Sequence, residues 1–220
     1  MPIAISYHSF TLFTTDTAGK THKIDARYQQ FRAVYKSLER LLNGDTPAQR
    51  GGIVWHTQGS RKSLTMVFLV REMRRRRTLQ DWKVVFVTDR TQLQQQLGAT
   101  SQSIQQTVLS AEWIKPRKEQ PGRSLVELLR DPSSNCVMAM IQKFHERDLQ
   151  EIFPVLNSSP KILIMIDEAH RTEYGLLGAN LERALPNATR GGAYTGTPIE
   201  KTERTFGTYI DYQYCPTVGL

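Results

Sequence analysis

Residues 59–63, GSRKS, combine glycine, lysine and serine in an order that could bind phosphate. In a phosphate-binding loop, glycines let backbone N–H groups curl around phosphate oxygens, and the amino end of the next helix adds positive charge. The lysine reaches the terminal phosphates and the hydroxyl binds Mg²⁺, roles that Lys62 and Ser63 could take. Gly59 fits this pattern, but Arg61 stands where such a loop normally has glycine. Considered alone, the segment is better explained as a surface turn before a helix.

A pair of carboxylates, Asp167 and Glu168, follows the apolar run ILIMI. At the end of a buried strand such a pair suits metal-dependent nucleotide hydrolysis. Asp167 would hold Mg²⁺, directly or through water, and Glu168 would orient or deprotonate the attacking water. The pair could instead cap the next helix, and His170 alone is more typical of a surface or packing histidine. Capping is less favoured here, because the pair lies about 105 residues after Lys62 and ends a separate strand of the same predicted sheet.

Two further polar segments also follow apolar runs. Thr88 and Arg90 come after VVFV, and a hydroxyl and an arginine beside loop N–H groups suit contact with nucleic-acid phosphates. Thr88 could equally cap a helix. In AYTGTP, Thr195 to Thr197 offer two hydroxyls and the flexible backbone of Gly196, although alone they indicate a turn.

These segments need a framework that brings them together. Continuous apolar runs, rather than alternating ones, are typical of strands buried on both faces of a sheet. Helical spacing of apolar residues over 26–43, at Phe31, Val34, Leu38 and Leu41 or Leu42, predicts a helix. We predict strands at 51–55, 82–89, 135–141, 161–167 and 191–198, and further helices from the phosphate loop to about Arg77 and near 91–97, 122–130, 145–156 and 176–185.

Strands separated by helices indicate βαβ units and hence an α/β fold: an open, mostly parallel sheet with helices on both faces. Such sheets bind ligands beyond the carboxyl ends of their strands. We therefore expect residues 59–63, 88–90, 167–170 and 195–198 to lie at one edge of the sheet.

Composition narrows the class of protein. The 220 residues suffice for one well-buried domain, and a net charge of +8 favours an anionic partner such as nucleic acid. The run RRRR at 74–77 is nevertheless explained most simply as a solvated helix end. Cys136 and Cys215 lack metal-ligand spacing, and neither a long apolar run nor a secretion signal is present. We expect a cytoplasmic protein that makes no use of a membrane.

Taken in order, the motifs resemble superfamily 2 helicase motors and, more narrowly, the restriction (R) subunit of type I restriction-modification enzymes. The segments that carry the resemblance are ARYQQFRAV, GGIVWHTQGSRKS, VVFVTDRTQL, IQKF, IDEAHRTEYG and AYTGTPI. The resemblance implies a RecA-like first motor domain of an ATP- and Mg²⁺-dependent translocase on double-stranded DNA. It also implies a nuclease domain upstream, and modification and specificity subunits as partners.

The resemblance further implies roles for single residues. Gln30, or Gln29, would read the adenine, and Thr195 to Thr197 together with His170 would couple the state of the nucleotide to DNA contact. ATP would be bound by Gln30, Gly59, Ser60, Arg61, Lys62 and Ser63, Mg²⁺ by Ser63 and Asp167, and DNA by Thr88, Arg90, Gln142 and Lys143, with Asp167 and Glu168 catalytic.

The chain departs from the family pattern in three ways. Arg61 replaces the loop glycine, and DYQYCPTVGL at 211–220 does not continue the pattern. We also expect the second motor domain and the nuclease domain of the family to be missing from these 220 residues. We accordingly expect a fragment or truncated product, with a connector at 1–25, the motor domain at 26–208 and a divergent tail at 209–220. Two alternatives stay open: a non-catalytic fragment that binds DNA or partners, and the motor of another superfamily 2 DNA or RNA helicase.

Overall fold

The computed structural model describes residues 10–15, 19–57, 59–88, 108–110, 124–133, 135–140, 154–167, 174–196 and 208–212. Its helices are α1 (Tyr28–Asn43), α2 (Pro47–Arg50), α3 (Lys62–Arg74), α4 (Leu125–Arg130) and α5 (Tyr174–Ala184). Its strands are β1 (Thr11–Thr15), β2 (Thr21–Asp25), β3 (Ile53–Trp55), β4 (Lys83–Thr88), β5 (Val108–Ser110), β6 (Cys136–Met140), β7 (Ile162–Asp167), β8 (Thr189–Thr195) and β9 (Tyr209–Tyr212).

Seven of these strands form one sheet, in the order β5-β6-β4-β7-β8-β3-β9. Every neighbouring pair in this sheet is parallel. Parallel neighbours require crossover connections, and among the described residues α4 lies between β5 and β6 and α5 between β7 and β8. The structure thus confirms the predicted open α/β sheet.

The two faces of the sheet bury separate apolar layers. Along β4, Val84 and Phe86 belong to the cluster that also contains residues of α1 and α3. Val85 and Val87 alternate with them and belong to the cluster on the opposite face, with α4 and α5. All six residues of β4 and all six of β7 are buried. Helices cover both faces of the sheet. The continuous apolar runs in the sequence therefore arise from strands that are buried on both faces, as predicted.

The described residues confirm most of the predicted elements. Helix α1 buries Val34, Leu38 and Leu41, in agreement with the apolar spacing over 26–43. Helix α3 ends at Arg74, three residues before the predicted end. The helix predicted near 145–156 does not extend over 154–156, and its remainder, like the helix predicted near 91–97, lies outside the described residues.

Four strands were not predicted from the sequence: β5, which pairs with β6, and three strands at the two ends of the chain. Strands β1 and β2 pair as an antiparallel hairpin within the segment interpreted as a connector. Strand β9 pairs with β3 at the edge of the large sheet, within the segment interpreted as a divergent tail. The boundaries proposed at 25 and 208 stay predictions. Residues on their outer sides nevertheless pack into the main core, because Phe10, Leu12 and Ile210 are all buried in the cluster under α1 and α3.

The run RRRR contributes to local structure at three of its four positions. Arg74 donates to the carbonyl oxygens of Gln80 and Trp82, at 3.0 and 2.7 Å. Arg76 and Arg75 form ion pairs with Glu72, at 2.9 and 3.9 Å. The run therefore closes the end of α3, in agreement with its interpretation as a helix end.

The hairpin offers a test of its contribution to folding. Leu12 is 1% exposed and the next residue, Phe13, is 58% exposed. We expect Leu12→Ala to lower the free energy of unfolding by about 2–4 kcal/mol because it leaves a cavity in the core. Phe13→Ala is the matched control, with an expected change within about 0.5 kcal/mol. Urea unfolding measures both variants, and equal effects would show that the hairpin does not belong to the folded core.

Candidate nucleotide-binding site

The parallel register brings the predicted polar segments to one edge of the sheet. Trp55 at the end of β3 lies opposite Thr195 at the end of β8, and Asp167 at the end of β7 lies opposite Tyr194. Strand β4 ends beside β7, with Val87 opposite Ile166. The strands that precede the four candidate segments therefore all end at the carboxyl edge, where parallel sheets bind their ligands.

Two residues of the loop after β3, Gly59 and Arg61, have the positive φ that glycine favours. Gly59 has φ of 80°, and nothing lies within 4 Å of the Cβ that another residue would add there. Arg61 has φ of 55° and ψ of 51°, in the left-handed region, and is the only non-glycine residue with positive φ in the described part of the chain. A side chain makes this conformation costly. The loop therefore keeps the shape that glycine normally allows, although arginine stands at the position.

The ammonium group of Lys62 is buried, and among the residues that the structure describes no carboxylate pairs with it. Lys62 opens α3 and is 7% exposed. Its Nζ donates one long hydrogen bond, 3.5 Å, to the carbonyl oxygen of His56. Buried ammonium groups are normally paired with an anion, and the amino end of α3 adds further positive charge. This position therefore favours an anionic ligand.

Gln30 of α1 binds the backbone of the loop after β3. Its Nε2 donates to the carbonyl oxygens of Ser60 and Arg61, both at 3.2 Å, and its Oε1 accepts from the backbone N–H of Arg27 at 2.8 Å. The Gln30 side chain is 1% exposed. Both ends of its amide are thus used within the protein, and the adenine contact that the resemblance implies for it stays a prediction, as it does for the half-buried Gln29.

The residues at the loop fit Mg²⁺ and a nucleotide together better than a metal alone. Ser60 is buried, and its hydroxyl lacks a hydrogen-bond partner within the described residues. Asp167 is 8% exposed at the end of β7, and Ser63 lies in the first turn of α3. No three histidine, cysteine or acidic side chains converge on a metal site in the described ranges. Mg²⁺ commonly takes one or two protein ligands and completes its shell with phosphate oxygens and water.

A buried charge network next to the loop was not predicted from the sequence. Nε2 of His56 lies 3.1 Å from Oδ2 of Asp211, a residue of β9, and both side chains are almost fully buried. Oδ1 of Asp211 accepts from Nε of Arg32 at 2.9 Å and from Nζ of Lys36 at 3.0 Å, both from α1. Burial by itself raises the pKa of Asp211, but the hydrogen bonds from His56, Lys36 and Arg32 outweigh it and hold this pKa below its ordinary value of 3.8. The sequence feature that could have indicated this network is Asp211, the one acidic residue of the strand YIDY.

Of the remaining predicted site residues, some lie within the described residues and some lie outside them. Within them, Thr88 is fully buried at the end of β4, and the carbonyl oxygen of Gly196 accepts from Nε1 of Trp55 at 3.1 Å. The structure therefore connects Gly196 to β3, while the DNA contact expected of Thr88 stays a prediction. The others lie outside the described residues: Glu168, His170, Arg90, Gln142, Lys143 and Thr197.

Fold and site together define a nucleotide-binding α/β domain of the RecA-like type. The family model described as SWI2/SNF2 ATPase matches residues 29–217. The chain belongs to the SWI2/SNF2 ATPase family.

Curated relatives confirm the narrower resemblance to type I restriction enzymes. The putative type I restriction enzyme MjaIXP endonuclease subunit of Methanocaldococcus jannaschii is 38% identical over 197 residues, which cover 86% of this chain and 18% of the relative. The type I restriction enzyme HindI endonuclease subunit of Haemophilus influenzae is 32% identical, over 91% of this chain and 20% of the relative. The chain thus spans about a fifth of the length of these relatives.

Solved structures agree on the fold. The UvsW helicase from bacteriophage T4 has a TM-score of 0.56 at 13% identity, covering 93% of this chain and 64% of that one. A nuclease-deletion mutant of the type ISP restriction-modification enzyme LlaGI, solved with a DNA substrate mimic, has a TM-score of 0.50 at 16% identity, covering 80% of this chain and 18% of that one. In the described part of this chain, none of the helices is both long and apolar enough to span a membrane.

The left-handed conformation of Arg61 predicts that a glycine substitution at this position stabilises the fold. Arg61→Gly removes a left-handed strain of about 1–2 kcal/mol and adds unfolded-state freedom that costs about 0.5–1 kcal/mol. We expect the free energy of unfolding to rise by about 0.5–1 kcal/mol. Arg61→Ala, which keeps a Cβ, is the control and should give no gain. Urea denaturation compares the three chains, and a loss of stability in Arg61→Gly would contradict the strain.

The Asp211 network predicts a dependence of stability on pH. Because its pKa is lowered in the folded chain, the carboxylate stabilises the fold above pH 3.8, and this contribution is lost as pH falls through the lowered pKa. We expect Asp211→Asn to cost about 2–4 kcal/mol at about pH 6, and the gap to wild type to narrow below pH 3.8. Asp81→Asn, which breaks an exposed pair with Lys161, should cost little at either pH. A gap that stays constant with pH would show that Asp211 is not ionised in the fold.

Proposed function

We propose that this chain forms the first ATP-binding motor domain of the restriction (R) subunit of a type I restriction enzyme. One observation carries the proposal: the buried ammonium group of Lys62, at the amino end of α3, follows a loop whose Gly59 and Arg61 have positive φ. Membership of an ATPase family and similarity to endonuclease subunits support the same conclusion.

The chain's residues would divide the work at the nucleotide. Bound ATP with Mg²⁺ supplies the free energy of phosphoryl transfer. Lys62 would bind the terminal phosphates, Ser63 and Asp167 would hold the metal, and Glu168 would orient or deprotonate water. Gln30 would keep the loop carbonyls of Ser60 and Arg61 in place, in addition to reading the adenine.

We further propose that the motor translocates on double-stranded DNA and works with modification and specificity subunits. Arg90, Gln142 and Lys143 would contact DNA together with Thr88, and His170 would act with Thr195 to Thr197 in coupling. Two hydrogen bonds support the coupling: the backbone N–H of His56 donates to the carbonyl oxygen of Thr195 at 3.1 Å, and Trp55 donates to that of Gly196. The end of β8 is therefore connected to the segment that enters the phosphate loop.

Arg61 supports a second candidate, a chain that binds DNA or protein partners without turnover. Its side chain stands at the loop position where glycine normally leaves space for phosphate, and its backbone is strained. ATP hydrolysis stimulated by double-stranded DNA, and abolished by Lys62→Ala, would exclude this second candidate. DNA binding without stimulated hydrolysis would favour it.

Nucleotide titration tests the proposed site directly. We expect the 220-residue chain to bind ATP with Mg²⁺, and Arg61→Gly to bind it about tenfold more tightly because backbone strain and crowding are removed. Lys62→Ala in the Arg61→Gly background is the negative control and should bind at least about tenfold more weakly. Isothermal titration calorimetry measures the affinities. Equal affinities with and without Arg61 would contradict the effect assigned to this residue.

A further inference from the structure

We propose that His56 and Asp211 are positioning residues that place the ammonium group of Lys62 for the terminal phosphates of the nucleotide. This inference rests on the proposed ATP site and adds two residues to it. Neither residue carries a predicted role in the sequence motifs, and both are buried next to the loop: His56 is 0% exposed and Asp211 is 1% exposed.

His56 is held in three directions. It follows β3 directly, and its backbone N–H donates to the carbonyl oxygen of Thr195 at 3.1 Å. Its carbonyl oxygen accepts the long, 3.5 Å hydrogen bond from Nζ of Lys62. Its side chain lies 3.1 Å from Asp211. The direction of the carbonyl group that receives Lys62 is therefore set by the contact between His56 and Asp211 together with the contact to β8.

Asp211 is in turn fixed by α1. Arg32 and Lys36 donate to its Oδ1, and Arg32 also donates from Nη2 to the carbonyl oxygen of Tyr212 at 2.8 Å. The same helix carries Gln30, which binds the loop carbonyls just before Lys62. Helix α1 thus holds the phosphate loop at both ends, through Gln30 after the turn and through Asp211 and His56 before it.

The charges identify His56 as a hydrogen-bond donor to Asp211. The Asp211 carboxylate accepts from Arg32 and Lys36 at one oxygen, so the contact at the other oxygen requires a proton on Nε2 of His56. In the neutral ring Nδ1 then has a free lone pair, and within the described residues no group donates to it. The hydrogen bond from Nε2 to the Asp211 carboxylate fixes the orientation of the His56 ring, as carboxylates do for histidines in other proteins.

The weak contact between Lys62 and His56 suits a side chain that exchanges this partner for a bound ligand. At 3.5 Å the hydrogen bond is weak, so a phosphate oxygen can replace the carbonyl oxygen at low cost. A displaced His56 carbonyl group would leave the buried Lys62 ammonium misplaced. Loss of the network should therefore weaken contacts to the terminal phosphates and leave contacts to the nucleoside unchanged.

A purely structural role would give a different result. Strand β9 already pairs with β3, and the network could merely fasten it to the edge of the sheet. In that case disruption would lower stability, and it would reduce the apparent affinity for ATP and for AMP by the same factor. The ratio of the two affinities separates the roles because AMP lacks the phosphates that Lys62 would reach.

The test uses the full 220-residue chain with Arg61→Gly, so that binding is strong enough to measure. Calorimetry gives the affinities for AMP and for ATP with Mg²⁺ in His56→Leu, Asp211→Asn and His56→Gln. We expect the ATP-to-AMP affinity ratio to fall about tenfold in His56→Leu and Asp211→Asn. The misplaced ammonium group of Lys62 would lose its hydrogen bond to a charged terminal phosphate. His56→Gln keeps a donor near Nε2 and should restore the ratio to within about threefold. Adding Lys62→Ala to His56→Leu should lower the ratio no further than Lys62→Ala alone.

A matched control separates positioning from loss of stability. Lys83→Met removes a buried lysine at the opposite edge of the sheet, where Nζ donates to Leu128 and Asn135 at 2.9 and 2.6 Å. It should lower the unfolding midpoint without changing the ratio. An unchanged ratio in both His56→Leu and Asp211→Asn would overturn the inference and leave the ATP site intact. Absence of ATP binding in the Arg61→Gly chain, or binding unaffected by Lys62→Ala, would overturn the proposed function and this inference with it.

Discussion

The candidate site depends on the parallel register of β4, β7, β8 and β3. The four strands end at one edge, so residues far apart in sequence, such as Trp55 before the phosphate loop and Asp167, come to the same edge of the sheet. The register is fixed because side chains on both faces of β4 and β7 are buried. A shift by one residue would exchange the two apolar layers and disrupt both. The core that stabilises the sheet therefore also sets the geometry of the site.

Arg61 shows how strongly the surroundings determine the loop. Its side chain is exposed, and its backbone has a conformation that arginine resists. The neighbours nevertheless keep the turn: Gln30 binds the carbonyl oxygen of Arg61, and the backbone N–H of Leu64 donates to the same oxygen at 3.0 Å. Strain of this kind persists where several contacts fix the same atoms, so one substitution changes the energy of the loop more than its shape.

Sequence patterns predicted the elements whose residues report their own burial. Runs such as KVVFVT and ILIMID indicate strands with no knowledge of the fold, and the positions that follow them indicate the site. The hairpin was missed because it buries little beyond Phe10 and Leu12, and β5 and β9 are three and four residues long. The contact between His56 and Asp211 was out of reach for another reason: it joins residues 155 apart, through a strand order that no local pattern specifies.

Phe10 packs between the two helices that hold the phosphate loop. Its ring centroid lies 4.9 Å from that of Phe31 in α1 and 5.4 Å from that of Phe68 in α3. Arg71 of α3 also donates to the carbonyl oxygen of Thr11 at 2.6 Å. The hairpin is therefore mechanically connected to the loop, because it cannot tilt without repacking both helices. A displacement of the hairpin would therefore move its contacts with α1 and α3, and a displacement of the phosphate loop would reach the hairpin through the same contacts.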